Sequence, residues 1–288
     1  MPELSPSLYR AGSGEPLVLV HGFTATWRCW LPVLAELVPR FEVIAPTLHG
    51  HDGGPVPPDG PAHSLSVAAD HLERMLDELG IGTAHLAGNS MGGALSLELA
   101  KRGRARSVVA ISPGGGWRES DAKEVERIIT LFSRSQKAAK AVDAHAHKVL
   151  TRPRMRRLAL RDVMTRGHLV PAAEAVRLVR SSVRCSIVAD VFETMRNGSA
   201  RVVDLDRVDC PVLITWGDRD RILPMHRHAP RLREELPGAE FRVHPGLGHT
   251  PMWDDAALIA RTIGDFSAAA AGTSGREAAG REPALGRS

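Results

Sequence analysis

The run Leu86-Ala-Gly-Asn-Ser-Met-Gly-Gly93 constrains this chain more than any other. It places a Gly-x-Ser-x-Gly pattern between an apolar, strand-like stretch and an apolar, helix-like stretch that continues to Lys101. A serine Oγ projects from such a junction only if the chain turns very tightly. Glycines at 88 and 92 leave room where a side chain would strike the neighbouring strand or helix. Ser90 then stands at the head of a helix, whose free N–H groups and positive dipole end favour a developing negative charge. The pattern marks Ser90 as a candidate nucleophile, against the plainer reading of a glycine-rich turn with an incidental serine.

A serine hydroxyl is a poor nucleophile near neutral pH and needs a base to take its proton. The later sequence offers one. Cys210-Pro-Val-Leu-Ile-Thr-Trp216 has a buried-strand pattern and runs into Gly217-Asp218-Arg219-Asp220-Arg221-Ile222-Leu223-Pro224, an acidic turn closed by proline. Glu240-Phe-Arg-Val-His244 reads as another strand, followed by Pro245-Gly-Leu-Gly-His249 and a helix-like stretch from Asp254 to Phe266. His249 is the expected base, and Asp218 or Asp220 the acid behind it. Near the start, the strand-like Pro16–Val20 ends in His21-Gly22-Phe23-Thr24, where a second donor to an oxyanion is expected.

These four motifs, in this order, resemble the α/β-hydrolase fold superfamily, in the form of a capped serine hydrolase, over residues 8–267. The resemblance implies a nucleophile at Ser90, a general base at His249 and an oxyanion hole built from the backbone N–H groups of Phe23 and Met91. Related acid turns read glycine, two variable residues, aspartate, three more, proline. That register aligns Gly217, Asp220 and Pro224 and makes Asp220 the acid, with Asp218 the alternative. No metal or organic cofactor is implied. The reaction implied is cleavage of a carboxylic ester, or a related lactone or thioester, of a small, mainly apolar substrate through an acyl-enzyme on Ser90. Epoxide hydrolases and haloalkane dehalogenases of this fold use an aspartate nucleophile, so serine at 90 disfavours them. Gly-Asn-Ser-Met-Gly-Gly is similar to the sequence of hydrolases that split C–C bonds in ring-fission diketones, where Asn89 would match a pocket residue. Against that stand an oxyanion loop with fewer glycines and Thr250 after His249, where those enzymes carry an aromatic residue. C–C hydrolysis is the second reading, and a slow-turnover small-molecule receptor the third.

The organisation agrees. Strand candidates at Pro16–Val20, Phe41–Ala45, Ala84–Ala87 and Ser107–Ser112 alternate with helical periodicity over Leu31–Val38, Leu65–Leu79 and Gly92–Lys101. Such alternation predicts an α/β fold with a doubly wound, mainly parallel sheet and a ligand site at the carboxyl ends of its strands. From 117 to 198 strand signals vanish, with helix starts at Ser120-Asp121 and Pro171 and a stop at Asn197-Gly198. The expected division is a core of residues 1–116 and 199–267, a helical cap of 117–198, and a disordered tail of 268–288. Trp117, Phe132, Met155, Met164, Phe192 and Met195 are candidates to be shared between cap packing and the pocket roof.

Composition narrows the partners. The 288 residues carry a formal charge of +4 and are 43% hydrophobic and 24% charged, ordinary values for a globular chain. Basic residues are matched by nearly as many acids and lack interleaved aromatics, so nucleic acid is not an expected partner. No apolar run approaches the length of a membrane span, and the N-terminus lacks a signal-peptide pattern. Three widely spaced cysteines, Cys29, Cys185 and Cys210, suit reduced thiols and a cytoplasmic setting. The expected partner is a small-molecule substrate, and the oligomeric state is not legible. The one basic cluster, Arg152, Arg154, Arg156, Arg157 and Arg161, reads as a solvated helix face or a site of attraction for anions. His49-Gly-His51-Asp52 and His145-Ala-His147 lack metal-ligand spacing, so no metal is expected. His21 is expected to brace its loop, and His226 and His228 to lie on a helix surface.

Overall fold

The computed structural model describes residues 3–57 and 64–279. Its strands are β1 (Glu3–Leu4), β2 (Leu8–Ala11), β3 (Pro16–Val20), β4 (Glu42–Pro46), β5 (Ala84–Asn89), β6 (Ala105–Ile111), β7 (Val212–Gly217) and β8 (Glu240–His244). They form one eight-stranded sheet in the order β1-β2-β4-β3-β5-β6-β7-β8. The pairs β1–β2 and β2–β4 are antiparallel, and all others are parallel. The antiparallel edge carries no clear sequence signal, because β2 is half-buried along its length and lacks an apolar alternation.

Helices cover both faces. They are α1 (Leu31–Leu37), α2 (Leu65–Glu78), α3 (Met91–Lys101), α4 (Ala122–Val142), α5 (Ala146–Val149), α6 (Pro153–Ala159), α7 (Ala172–Arg184), α8 (Val188–Arg196), α9 (Met225–Glu235) and α10 (Ala256–Ala279). Successive side chains of a strand point to opposite faces, and β3 shows the result. Leu17 and Leu19 pack with Val33, Leu37, Ile259 and Ile263 of α1 and α10. Val18 and Val20 pack with Leu72, Leu76, Leu95 and Leu232 of α2, α3 and α9. The central strands are therefore apolar on both sides, as a doubly wound sheet requires.

Helices α4 to α8 are inserted between β6 and β7; the end of α4, α5, α7 and the loops between them build a core from residues such as Leu150, Leu160, Met164, Val170 and Val176, while the start of α4 and α8 pack into the main core. Asp121 precedes α4, Pro171 precedes α7 and Asn197 follows α8. The chain reverses direction across the sheet between β3 and β5, and the loops leaving those two strands flank that crevice.

Three expectations change. Helix α10 runs on to Ala279, past the start of the tail expected at 268. The run Ser267-Ala-Ala-Ala-Ala271 has high helix propensity, and Ser267 and Ala270 are buried, so the helix extends beyond its apolar period. Residues 280–288 lie outside the described residues. His228 is not on the surface: it is fully buried on α9, with Nε2 3.1 Å from Glu124 Oε1 on α4. Its helix face is covered by the insertion, a contact that periodicity along α9 alone does not reveal. Finally, within the basic cluster expected mostly on a solvated face, Arg156 is half-buried and its guanidinium donates to the carbonyls of Leu150, Thr151 and His168.

Candidate active site

The turn from β5 into α3 is built around glycine. A Cβ at position 88 would lie 2.0 Å from Gly92 O, and one at position 92 would lie 2.0 Å from Val20 O. Both obstacles are backbone, so no rotamer change relieves them. Between them Ser90 adopts φ 56° and ψ −116°, a conformation that costs a non-glycine residue free energy and marks a site held by its surroundings. Ser90 O accepts from Gly114 N–H, and its own N–H donates to Ile111 O, which ties the strained turn to the end of β6.

Met91 opens α3, so its N–H belongs to the first-turn donors that a helix leaves without an intrahelical partner. Phe23 follows Gly22 beyond β3, where a Cβ at 22 would come within 3.2 Å of Ser90 Cβ. Phe23, Ser90 and Met91 line one cavity of about 640 Å³, measured out to its open mouth. Its walls include Leu65 and Ala68 of α2, Ile128 and Phe132 of α4, and Met195 of α8, with Trp117. Among the described residues, none that lines it is charged. Phe192 stacks edge-on to Phe23 at 6.1 Å. Met164, a candidate for either cap packing or the roof, lies in the core of the insertion and does not line this cavity.

His21 supports the Phe23 loop. Leu48 N–H donates to its Nε2, which leaves Nδ1 to carry the proton and donate to Gly22 O at 2.8 Å. Burial pushes this imidazole down to about 4, with the Gly22 hydrogen bond acting weakly in the other direction, so the neutral brace is maintained.

On the other side, His249 Nδ1 donates to Asp220 Oδ2 at 2.7 Å, both side chains being almost wholly buried. The remaining Asp220 oxygen accepts the N–H groups of Ile222 and Leu223, so the carboxylate is fixed by its own turn. Asp218 faces elsewhere: its Oδ1 accepts Gly246 N–H and braces the loop after β8. The structure thus brings Asp220, and not Asp218, to His249.

Asn89 links the two halves. Its Nδ2 donates to Ile111 O and, at 2.8 Å, to His249 O, which sets the histidine loop one hydrogen bond away from the Ser90 turn. Asn89 therefore acts as a brace, its amide spent on two carbonyls, and it is not among the residues lining the cavity.

Two groups absent from the sequence reading complete the frame. Asp254 accepts from the N–H groups of Gly248, Thr165 and Arg166, and Thr250 N–H donates to Val163 O. The histidine loop is thereby laced to the insertion. Glu124 on α4 holds Arg127, which donates to Ile222 O at 2.6 Å, and also pairs with Arg227 and His228 of α9. Burial would raise the Glu124 carboxyl, but hydrogen bonds from Arg127 and Arg227 pull it down to about 2. Neither acid has a local motif. Only the hydrophilic start of α4 and the acid five residues beyond His249 hint at them.

Among the described residues no group of histidine, cysteine or acidic side chains could hold a metal ion. All three cysteines are free thiols, and burial raises each of them, Cys185 and Cys210 to about 11. No helix is long and apolar enough to cross a membrane among those residues.

A family model described as "Alpha/beta hydrolase family" matches residues 17–262. The epoxide hydrolase EphH of Mycobacterium tuberculosis (strain ATCC 25618 / H37Rv) is 31% identical over 206 residues, 70% of this chain and 94% of that protein. A 2-hydroxy-6-oxo-6-phenylhexa-2,4-dienoate hydrolase of Burkholderia cepacia is 27% identical over 276 residues, 90% of this chain and 89% of its own. Among solved structures, a thermophilic esterase from Thermogutta terrifontis shares the fold with a TM-score of 0.65 at 21% identity, covering 94% of this chain and 99% of its own.

Proposed function

From the premise that this chain is a hydrolase belonging to the alpha/beta hydrolase family, we propose that it cleaves carboxylic esters of small, mainly apolar acids through an acyl-enzyme on Ser90. The observation that carries this reading is the cavity at Ser90: the described residues that line it are all uncharged, and it borders both Phe23 and Met91. An acyl chain enters such a space at a gain of about 25 cal/mol for each Å² of apolar surface removed from water.

The steps follow from the side chains. His249 takes the Ser90 proton through Nε2 as Oγ attacks the ester carbonyl carbon, while Asp220 holds Nδ1–H and stabilises the imidazolium that forms. The tetrahedral oxyanion accepts from the N–H groups of Met91 and Phe23, and losing one such donor typically costs about 3 to 4 kcal/mol of transition-state stabilisation. His249 then gives its proton to the departing alcohol. Water repeats the sequence on the acyl-enzyme and releases the acid. The inserted helices act as a cap that closes the acyl site.

The two other chemistries suggested by relatives fit less well. The Burkholderia cepacia protein is named for a dienoate, whose carboxylate would have to lose its water in a cavity that offers no cation among its described lining residues. Serine attack on an epoxide would leave an alkyl ether, which this acid–base pair has no means to hydrolyse, whereas an aspartate would leave a cleavable ester.

Fluorophosphonate labelling and turnover of p-nitrophenyl esters of graded length test the proposal. Ser90→Ala should abolish both while leaving the melting temperature nearly unchanged. Labelling retained at another serine overturns the nucleophile. Tight binding of the same acids without ester turnover would favour a receptor, and turnover of a ring-fission diketone above that of every ester would favour C–C hydrolysis.

A further inference from the structure

The acid turn has a second face. Behind Asp220 lies a solvent-open groove, distinct from the acyl cavity, lined by Arg157, Arg161, Arg219 and Arg221 with Thr165 and Gly246. Arg157 and Arg161 are four residues apart, so they share one side of α6 and the turn after it. Arg219 and Arg221 belong to the turn after β7. The groove is therefore flanked by guanidinium groups from two separate elements, the inserted helices and the core.

Little inside the protein neutralises them. The groove's two carboxylates are Asp218, which accepts Gly246 N–H, and Asp220, whose oxygens are committed to His249, Ile222 and Leu223. Arg161 reaches only its neighbour Asp162, at 3.7 Å, and Arg219 only Asp218, at 3.9 Å. Among the described residues the side chains of Arg157 and Arg221 make no ion pair. By contrast Arg156, one position away, is spent on three backbone carbonyls. One member of the basic cluster is structural, while two line a groove in which four arginines meet two carboxylates.

We propose that this groove binds a multiply charged oxyanion, a small phosphate- or carboxylate-bearing molecule that bridges Arg157 and Arg161 to Arg219 and Arg221. Guanidinium forks match such oxygens with paired, charge-assisted hydrogen bonds. The bound anion relieves repulsion between the two arginine pairs and fastens the insertion to the acid turn. Because it binds only the assembled groove, it raises the stability of the folded chain. The site stands on its own whatever bond Ser90 cleaves.

Pyrophosphate and citrate are titrated into the full chain by calorimetry and thermal melting, at ionic strength held constant with sodium chloride. Saturable heat and a rise in melting temperature are expected from at least one of them, and the stronger of the two tells whether phosphate or carboxylate is preferred. The double variant Arg157→Gln/Arg161→Gln should weaken binding about tenfold or more through loss of charge-assisted bonds, and Arg154→Gln should not. Arg219→Gln probes the opposite wall and should weaken binding in the same way, which keeps the test decisive if the double variant is unstable. Absence of saturable heat with both anions, or undiminished binding in the groove variants, overturns the proposal.

Discussion

Asp218 and Asp220 lie on one turn, yet their oxygens meet different partners, and that difference fixes what each substitution does. Asp220→Asn replaces an acceptor of His249 Nδ1–H by an amide, so turnover of a short ester should fall by orders of magnitude, as in other triads. Asp218→Asn disturbs the Gly246 brace and the loose pairing with Arg219, and should cost about tenfold or less. Steady-state kinetics on both variants decide it, and the reverse ranking moves the acid to Asp218. His21 contributes a pH dependence. Folded, its imidazole stays neutral down to about pH 4, while in the unfolded chain it protonates below 6.5. Its share of stability is complete above pH 6.5 and is lost as pH falls from there to about 4, a span worth about 3 kcal/mol. Melting temperature against pH should therefore fall less steeply across this window in His21→Gln than in the parent chain. An unchanged slope assigns the acid sensitivity to other groups, such as His228, which burial shifts the same way. The Ser90 turn and the Asp220 register were legible in the sequence because each is a local motif with steric or spacing demands. Asn89, Asp254 and Glu124 were not, since their roles consist of hydrogen bonds to loops far away in the chain.

At the scale of elements, the strands of the parallel sheet were readable from short apolar runs, and β5 and β7 are buried at every position. The division of labour within the insertion was less so. Helical periodicity gives an apolar face but not which neighbour covers it. Trp117 and Met164 are both apolar and nearly inaccessible, yet Trp117 lines the acyl cavity and Met164 fills the core built by α4, α5, α7 and the loops between them. Truncating them should therefore have different effects. Trp117→Ala opens the cavity and should shift the preferred p-nitrophenyl ester toward longer chains. Met164→Ala should lower stability by about 2 to 5 kcal/mol, the usual cost of emptying a core methionine site, with the chain-length preference unchanged. Chain-length profiles and denaturant melts of both variants check this. A shifted profile in Met164→Ala would place that side chain against the substrate after all.

For the whole molecule, burial along α10 shows how far packing reaches among the residues whose side chains are described, which sets a minimum limit for the folded unit at its C-terminal end. Ile259 and Ile263 are fully buried against α1 and β3, Ser267 is fully buried and Ala270 nearly so, whereas a Cβ at Gly272 would meet nothing within 4 Å. The sequence placed the limit earlier because alanine contributes little to an apolar period, although four alanines in a row favour helix. Two truncations bracket the boundary. Removing everything from residue 273 onward takes away no described packing surface, so melting temperature and ester turnover should match the full chain within error. Removing everything from residue 267 onward also takes Ser267 and Ala270 from their buried sites and shortens α10 where it leaves the sheet. That cut should cost about 1 kcal/mol or more, a fall of roughly 2 to 4 °C for a chain of this size. Scanning calorimetry on the two truncated chains reads the difference, and a large loss from the cut at 273 would show that the end of α10 docks on the domain.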